Sequence, residues 1–329
     1  MKRALVTGAG GFIGHHLVKS LKQKGLEVIG VDIKQPEFEA SAADRFVVHD
    51  IRQATPEWEA VFQGVDEVWA LAADMGGMGF ISKNHAMIMR DNVLMNMNTL
   101  EGARKAGVKR YLYTSSACVY PEHIQTMTQV VPLAEHMAYP ANPQDGYGWE
   151  KLYTEKLCEY YHLEYGIDMR IVRFHNIYGP LGTWQGGREK APAAMCRKVA
   201  QAVEEGKDFI EIWGDGEQTR SFCHIDDCLK GLHLIMESGY TKPLNLGRDE
   251  MVSINELADT AMLAAGVKLR KVHVDGPQGV RGRNSDNSLS RRIMGWNPEI
   301  DLKTGIADTY AWIRSQVQAS APLAATPSR

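Results

Sequence analysis

A membrane-spanning segment is missing from this sequence: no apolar run approaches the ~18 consecutive residues that a transmembrane helix needs. The start, Met1-Lys-Arg-Ala-Leu-Val, is cut short by Thr7 and the glycines from Gly8 to Gly14, so it forms no signal-peptide core. Cysteine is scarce. The five cysteines (118, 158, 196, 223 and 228) are scattered, odd in number and without zinc-site spacing, which argues against a disulfide framework. A reduced, cytoplasmic setting fits them. An excess of basic charge is also lacking: 37 Lys and Arg face 40 Asp and Glu, a net charge of -3 that lends nothing to non-specific nucleic-acid binding. A local cluster of Arg and Lys can still hold an anionic small molecule. His49 and His175 read as structural or loop histidines, and no metal site is expected.

What is present is an ordinary globular composition, 44% hydrophobic and 23% charged, in 329 residues, enough for a large core and two lobes. Apolar spacing predicts strands at Ala4–Thr7, Leu26–Asp32, Phe46–Asp50, Val68–Ala72, 110–114 and 169–173, with helices over Phe12–Lys22, 86–106 and 146–164. This alternation implies an α/β fold: a Rossmann-type doubly wound parallel sheet with helices on both faces. After Pro180 the rhythm turns irregular, with Gly-rich loops and shorter elements. Residues 1–178 are expected to form the nucleotide-binding domain. A smaller C-terminal substrate-binding lobe would span 179–315, with some segments returning to the sheet. Residues 316–329, rich in small residues and Pro, are expected to be an unstructured tail.

Thr7-Gly-Ala-Gly-Gly-Phe-Ile-Gly14 follows the first strand and opens the first helix. Backbone N–H groups there, Phe12 and Ile13 included, together with the helix dipole can hold a pyrophosphate. The spacing is GxxGxxG through Gly8, Gly11 and Gly14, which departs from the common GxGxxG fingerprint. Asp32, at the end of the second strand, can bind adenosine ribose hydroxyls and would repel a 2′-phosphate, which favours NAD over NADP. Asp50 closes the third strand and can reach the adenine.

Tyr147 and Lys151 lie four apart on a helix, so a phenol and an ammonium share one face. A free phenol, with a pKa of about 10, is a poor base near neutrality. The Lys151 ammonium and a cationic nicotinamide would favour phenolate and lower that value. Ser116 is expected to hydrogen-bond the same substrate oxygen.

Six blocks in order resemble the extended short-chain dehydrogenases/reductases that act on nucleotide sugars, and within them the GDP-mannose 3,5-epimerase family. They are Leu71-Ala-Ala-Asp-Met-Gly-Gly-Met-Gly-Phe80, Ser115-Ser-Ala-Cys-Val-Tyr-Pro121, Arg173-Phe-His-Asn-Ile-Tyr-Gly-Pro180, Gly186-Gly-Arg-Glu-Lys-Ala-Pro-Ala-Ala194, Trp213-Gly-Asp-Gly-Glu-Gln-Thr-Arg-Ser221 and Gly279-Val-Arg-Gly-Arg-Asn-Ser-Asp-Asn287. The likeness runs to about residue 315.

The resemblance implies an isomerase in which Tyr147 takes the C4 hydroxyl proton as hydride passes from C4 to NAD. A ketone at C4 acidifies the C–H bonds at both C3 and C5, so one oxidation permits inversion at two centres. Cys118 as base and Lys190 as acid would carry those protons; which serves each carbon, and in which order, stays open. The resemblance also implies cofactor contact at Leu71 and substrate contacts at Gly76, Ser116, Ala117, Cys118, Asn176, Glu189, Lys190 and Ala191. Lys198, Arg220 and Arg283 would neutralise phosphate or fix the nucleotide, with Gln218 and Thr219 at the nucleotide part. Arg281 is an alternative to Arg283. GDP-mannose would become GDP-L-galactose, with GDP-L-gulose as side product, in a homodimer built through the helices at 86–106 and 146–164.

Three rival readings stand beside this one. Dehydratases of the family place an acidic residue just after the position of Ser116, where this chain has Ala117-Cys118. A simple 4-epimerase would leave Cys118 and Lys190 no proton to move. A non-catalytic NAD-binding protein would tend to lose Tyr or Lys from YxxxK, and both are kept.

Overall fold

The computed structural model describes residues 1–277 and 279–320. Its centre is a seven-stranded, fully parallel sheet built from β1 (Arg3–Thr7), β2 (Glu27–Asp32), β3 (Arg45–Val48), β4 (Glu67–Ala70), β5 (Arg110–Ser116), β6 (Asp168–Phe174) and a late strand, Pro243–Leu246. The spatial order is Pro243–Leu246, β6, β5, β4, β1, β2, β3. Strand order reverses between β1 and β4, and the crevice beyond their carboxyl ends is where such sheets bind ligands.

Both faces are covered. Leu17, Val18 and Leu21 of α1 (Phe12–Gln23) pack on one face beside Leu232, Ile235 and Met236 of the Ile225–Glu237 helix. On the other, Trp58, Phe62, Met95, Leu100, Ala103 and Cys158 join the inner side chains of the strands. Burial on both faces explains why β1 and β4 read as unbroken apolar runs.

Past residue 178 the Ile225–Glu237 helix and the Pro243–Leu246 strand return to the central sheet. The rest forms a separate core in which the Ala191–Glu204, Ile254–Ala265 and Leu302–Ser320 helices meet. This region was expected to hold shorter elements, yet two of its helices run 14 and 19 residues. The last helix also corrects the tail: residues 316–320 are helical, and Val317 is buried in that core. Residues 321–329 of the expected tail lie outside the described residues. Among the described residues, no helix is long and apolar enough to cross a membrane.

A buried polar network fixes the carboxyl ends of β5 and β6. Glu155 accepts from the Ser115 hydroxyl at 2.5 Å and from Arg173 at 2.9 and 2.7 Å. Arg173 also donates to the Glu135 carbonyl, and Tyr120 links the cluster to Asn245 and thence His175. Burial drives the His175 imidazole down to about 3, consistent with a structural, uncharged ring. Breaking a buried pair strands its partner. Arg173→Met should therefore lower the unfolding free energy by about 3–5 kcal/mol in urea denaturation; an unchanged midpoint would show the network to be unimportant.

Candidate active site

The first cluster of functional groups lies where β1 gives way to α1. Gly8 has φ 72°, and a Cβ there would come within 2.9 Å of the Leu71 and Ala72 backbone. A Cβ on Gly14 would strike the Gly8 carbonyl, so loop and helix close against each other only as glycines. No side chain caps α1 and no acid occupies its first turn, so the N–H groups of Phe12, Ile13 and Gly14 face the crevice as an anion cradle. The Asp32 carboxylate accepts from the Gly10 N–H at 3.0 Å, and burial raises its pKa. These residues fit a dinucleotide: pyrophosphate on the helix terminus, ribose at Asp32. Gly10 escaped the sequence reading, yet a Cβ there would collide with the Lys34 carbonyl. Leu71 follows β4 directly, and its N–H donates to the Thr7 carbonyl at 3.3 Å. Asp50 is a different case: its carboxylate is gripped by Arg52 at 2.9 and 2.7 Å, and Arg52 also holds Asp91. That pairing, rather than an open carboxylate, is what the structure places there.

The second cluster sits at the carboxyl end of β5. The chain leaves Ser116 through a short 3-10 turn, Ala117–Val119, in which the Ser116 hydroxyl accepts from the Cys118 N–H at 3.2 Å. This turn presents the half-buried Cys118 toward the Gly146–Tyr165 helix, where Asp145 caps the terminus through the Gly148 N–H. Lys151 is buried; its ammonium donates to the Thr114 carbonyl at 3.0 Å and lies 5.5 Å from the centre of the Tyr147 ring. Burial lowers the Lys151 pKa, opposed by Glu150 at 4.0 Å.

The expected lowering of Tyr147 is not found in the protein alone. Burial pushes its phenol well above the ordinary value, and the Glu150 carboxylate and the Cys118 thiol add to the rise; only Ser116 pulls it down. The phenol sits in a dry site beside negative charge, so a positive charge brought by the oxidised cofactor is what would offset that rise.

The third cluster comes mostly from beyond residue 178. Lys190 stands at the start of the Ala191–Glu204 helix; desolvation lowers its pKa, while Cys118 and then Cys228 act against that. Ala191 opens the same helix. Glu189 is held by Arg197 at 2.8 Å. Asn176 has φ 46° and donates to the Ser221 carbonyl, which fixes the segment leaving β6. Arg283 is buried, and it donates to the Cys118 sulfur at 3.3 Å and to Gln125 at 2.6 Å, which sets it beside the thiol. Arg220 lies close by, its pKa lowered to about 9 by burial and then by Arg283. Arg281, the alternative to Arg283, pairs with Asp215 at 2.6 Å. Lys198 donates to the Glu211 carbonyl and lies over the Trp213 ring. Gln218 and Thr219 lead into the Thr219–Ser221 strand, and the buried Gln218 Oε1 has no hydrogen-bond partner among the described residues.

Two glycines exchange importance. The nearest atoms to a Cβ on Gly76 would be those of the Phe80 side chain, at 3.1 Å and beyond, whereas one on Gly77 would come within 2.6 Å of the Glu189 carbonyl. Sequence reasoning also missed Gln125, fully buried beneath Arg283, and Arg188 beside Asp74; nothing in the Gln125 neighbourhood marks it out as a sequence. The other four cysteines are buried in the cores, the small-residue packing expected of them. No group of three or more His, Cys, Asp or Glu able to hold a metal occurs among the described residues. A wide groove of about 610 Å³ opens elsewhere, between α1 and the Ile225–Glu237 helix, and contains none of these groups.

Known proteins resemble this chain. The chain is 50% identical over 315 residues to a GDP-mannose 3,5-epimerase of Arabidopsis thaliana, covering 95% of this chain and 82% of the relative. A GDP-mannose 3,5-epimerase 1 of Oryza sativa subsp. japonica is 50% identical over 318 residues, 96% of this chain and 82% of that one. Among solved structures, the UDP-glucuronic acid 4-epimerase of Bacillus cereus, in complex with UDP-glucuronic acid and NAD, superposes with a TM-score of 0.80 at 26% identity, covering 95% of this chain and 99% of its own. The Thermotoga maritima UDP-glucose 4-epimerase with UDP-glucose gives 0.84 at 26% identity, over 96% and 99%. Residues 4–247 match the NAD dependent epimerase/dehydratase family, and with that match and these relatives the chain belongs to it.

Proposed function

We propose that this enzyme converts GDP-mannose to GDP-L-galactose by inverting C3 and C5, with GDP-L-gulose, inverted at C5 alone, as side product. The observation that carries the reading is a cluster at the end of β5, where the Tyr147 ring centre lies 5.5 Å from the Lys151 ammonium and packs against Cys118; Lys190 is the fourth proton carrier in this reading. A hydride-return enzyme needs only the first two. The other two are what enolisation beside a ketone requires. Half identity over nearly the whole chain to proteins named for this reaction supports the same substrate.

NAD, when bound, supplies a hydride acceptor for C4 and returns the hydride at the end of the cycle. The protein's own residues do the rest. Tyr147 removes the C4 hydroxyl proton, with Ser116 orienting that hydroxyl and Lys151 supplying positive charge. Cys118 withdraws a proton from the carbon next to the ketone, and Lys190 delivers one to the other face. Asn176, Glu189, Ala191 and the glycine loop around Gly76 line the sugar; Lys198, Gln218, Thr219 and Arg220 hold the nucleotide diphosphate. Asp32 holds the cofactor ribose. Asp32→Ala should shed NAD during gel filtration, read from nucleotide content per protein, and should no longer exclude NADP. Full NAD retention with unchanged selectivity would contradict that role. The direct test of the reaction is incubation with GDP-mannose and separation of the products: GDP-L-galactose is expected, and a GDP-4-keto-6-deoxy sugar would instead mark a dehydratase.

The enzyme works in the cytoplasm as a homodimer in this reading, and free thiols throughout suit a reducing compartment. Met89 and Met97 of the His85–Lys105 helix and Trp149, Tyr153 and Tyr160 of the Gly146–Tyr165 helix are 39–57% exposed, an apolar face on two adjacent helices that a second copy would cover. Trp149→Glu combined with Tyr153→Glu should leave a monomer in analytical ultracentrifugation. A dimer that survives both changes would place the interface elsewhere.

A further inference from the structure

Lys190 poses a problem of positioning. Among the described residues its ammonium makes no hydrogen bond or ion pair, so its backbone must hold it in place. Yet the chain enters through Gly186 and Gly187, at φ 86° and 82°, and no atom lies within 4 Å of where a Cβ would sit on either. The two glycines bring no side-chain packing of their own, and within the segment the Gly187 N–H donates to the Glu189 carboxylate at 2.7 Å.

Arg188 bridges that gap. Its guanidinium pairs with Asp74 at 2.8 Å and lies 3.8 Å above the centre of the Phe80 ring. Its carbonyl accepts from the Gly77 N–H at 3.1 Å. Gly77 itself lies so close that a Cβ would come within 2.6 Å of the next carbonyl, that of Glu189. Four contacts thus tie residues 188 and 189 to the loop that leaves β4. An exposed ion pair alone would add little, but stacking on a ring and a backbone hydrogen bond fix direction as well as distance. On the far side, Glu189 is tied to Arg197.

We propose that Arg188 is a positioning residue: it clamps the Gly186–Lys190 segment to the Asp74–Phe80 loop and so aims Lys190 across the sugar from Cys118. The inference rests on the proposed role of Lys190 as proton donor. The clamp sets the partition of the enolised sugar. With Lys190 aimed, a proton arrives on the opposite face and the centre inverts. With Lys190 displaced, the carbon recovers a proton on the face from which it left, and the centre is retained.

The test reads that partition in deuterated water with intact protein, NAD and GDP-mannose. Two products are quantified by NMR: inverted sugar, and GDP-mannose that has gained deuterium at C3 or C5 without inverting. Their ratio is internal to the active molecules, so partial unfolding does not alter it. Arg188→Gln should raise uninverted, deuterated GDP-mannose relative to inverted product about 10-fold, since small misplacements of a reacting group carry costs of that order or larger. Arg188→Lys should restore part of the loss, and Gly77→Ala should act in the same direction as Arg188→Gln, breaking the clamp from the other side. A ratio unchanged from the unmodified enzyme in both Arg188→Gln and Gly77→Ala, while Lys190→Ala raises it, overturns the clamp and leaves the Lys190 reading intact. An unchanged ratio in Lys190→Ala overturns the donor role, and the inference falls with it.

Discussion

Cys118→Ala, given GDP-mannose, should still reduce its bound NAD but should put no deuterium into C3 or C5 and form no GDP-L-galactose. The two half-reactions use separate groups. Tyr147, Lys151 and Ser116 handle the C4 oxygen, and none of them depends on the Cys118 sulfur for its position: Lys151 is fixed by the Thr114 carbonyl and Tyr147 by its helix. The sulfur occupies a place of its own, held by the 3-10 turn and met by Arg283 at 3.3 Å. Removing it should leave oxidation intact and stall the cycle at the ketone, visible as nicotinamide absorbance that rises with substrate and does not decay. Loss of a catalytic base typically costs about 10²–10⁴-fold in rate. Deuterium still entering at both carbons at the original rate would remove the thiol from the mechanism.

Tyr147→Phe should fail one step earlier. Without the phenol the C4 hydroxyl keeps its proton, no nicotinamide is reduced, and no carbon exchanges, because the C3–H and C5–H bonds become acidic only beside a ketone. A fall of about 10²–10⁴-fold in turnover is expected, with oxidation, exchange and inversion lost together. The contrast between the two variants is the informative part. One separates oxidation from exchange; the other cannot. If Tyr147→Phe exchanged deuterium freely, enolisation would not need C4 oxidation at all.

The physical basis of that second prediction was only partly legible in the sequence. Four-residue spacing places Tyr147 and Lys151 on one face, but no spacing reveals how dry that face is. Burial and Glu150 push the phenol up, so the site waits for positive charge instead of carrying an activated base at rest. The nucleotide cradle was easier to read, because a buried strand, a glycine loop and an amphipathic helix each leave a local pattern. Even there Gly10 was passed over, since its constraint comes from the Lys34 carbonyl, far from the motif's own spacing.

Farther from the cradle, long-range contacts decide, and local pattern says less. Arg283 was expected at the phosphate or nucleotide because the resemblance implies it and Arg suits bidentate phosphate binding. Only the fold brings it to Cys118, 165 residues away. Gly77 outranks Gly76 for the same reason: its neighbour is Glu189, from another segment. The helical residues 316–320 were read as tail because their small, polar composition is weak evidence for a helix. The core of the second lobe holds them in place through Val317.

The central claim is that this enzyme enolises its substrate on both sides of C4. The most direct measurement is NMR of the sugar after incubating the unmodified enzyme with GDP-mannose in deuterated water. Deuterium at C3 and C5 of newly formed GDP-L-galactose is the predicted result. Epimerised sugar carrying no solvent deuterium would contradict it and make this a hydride-return enzyme in which Cys118 and Lys190 move no proton.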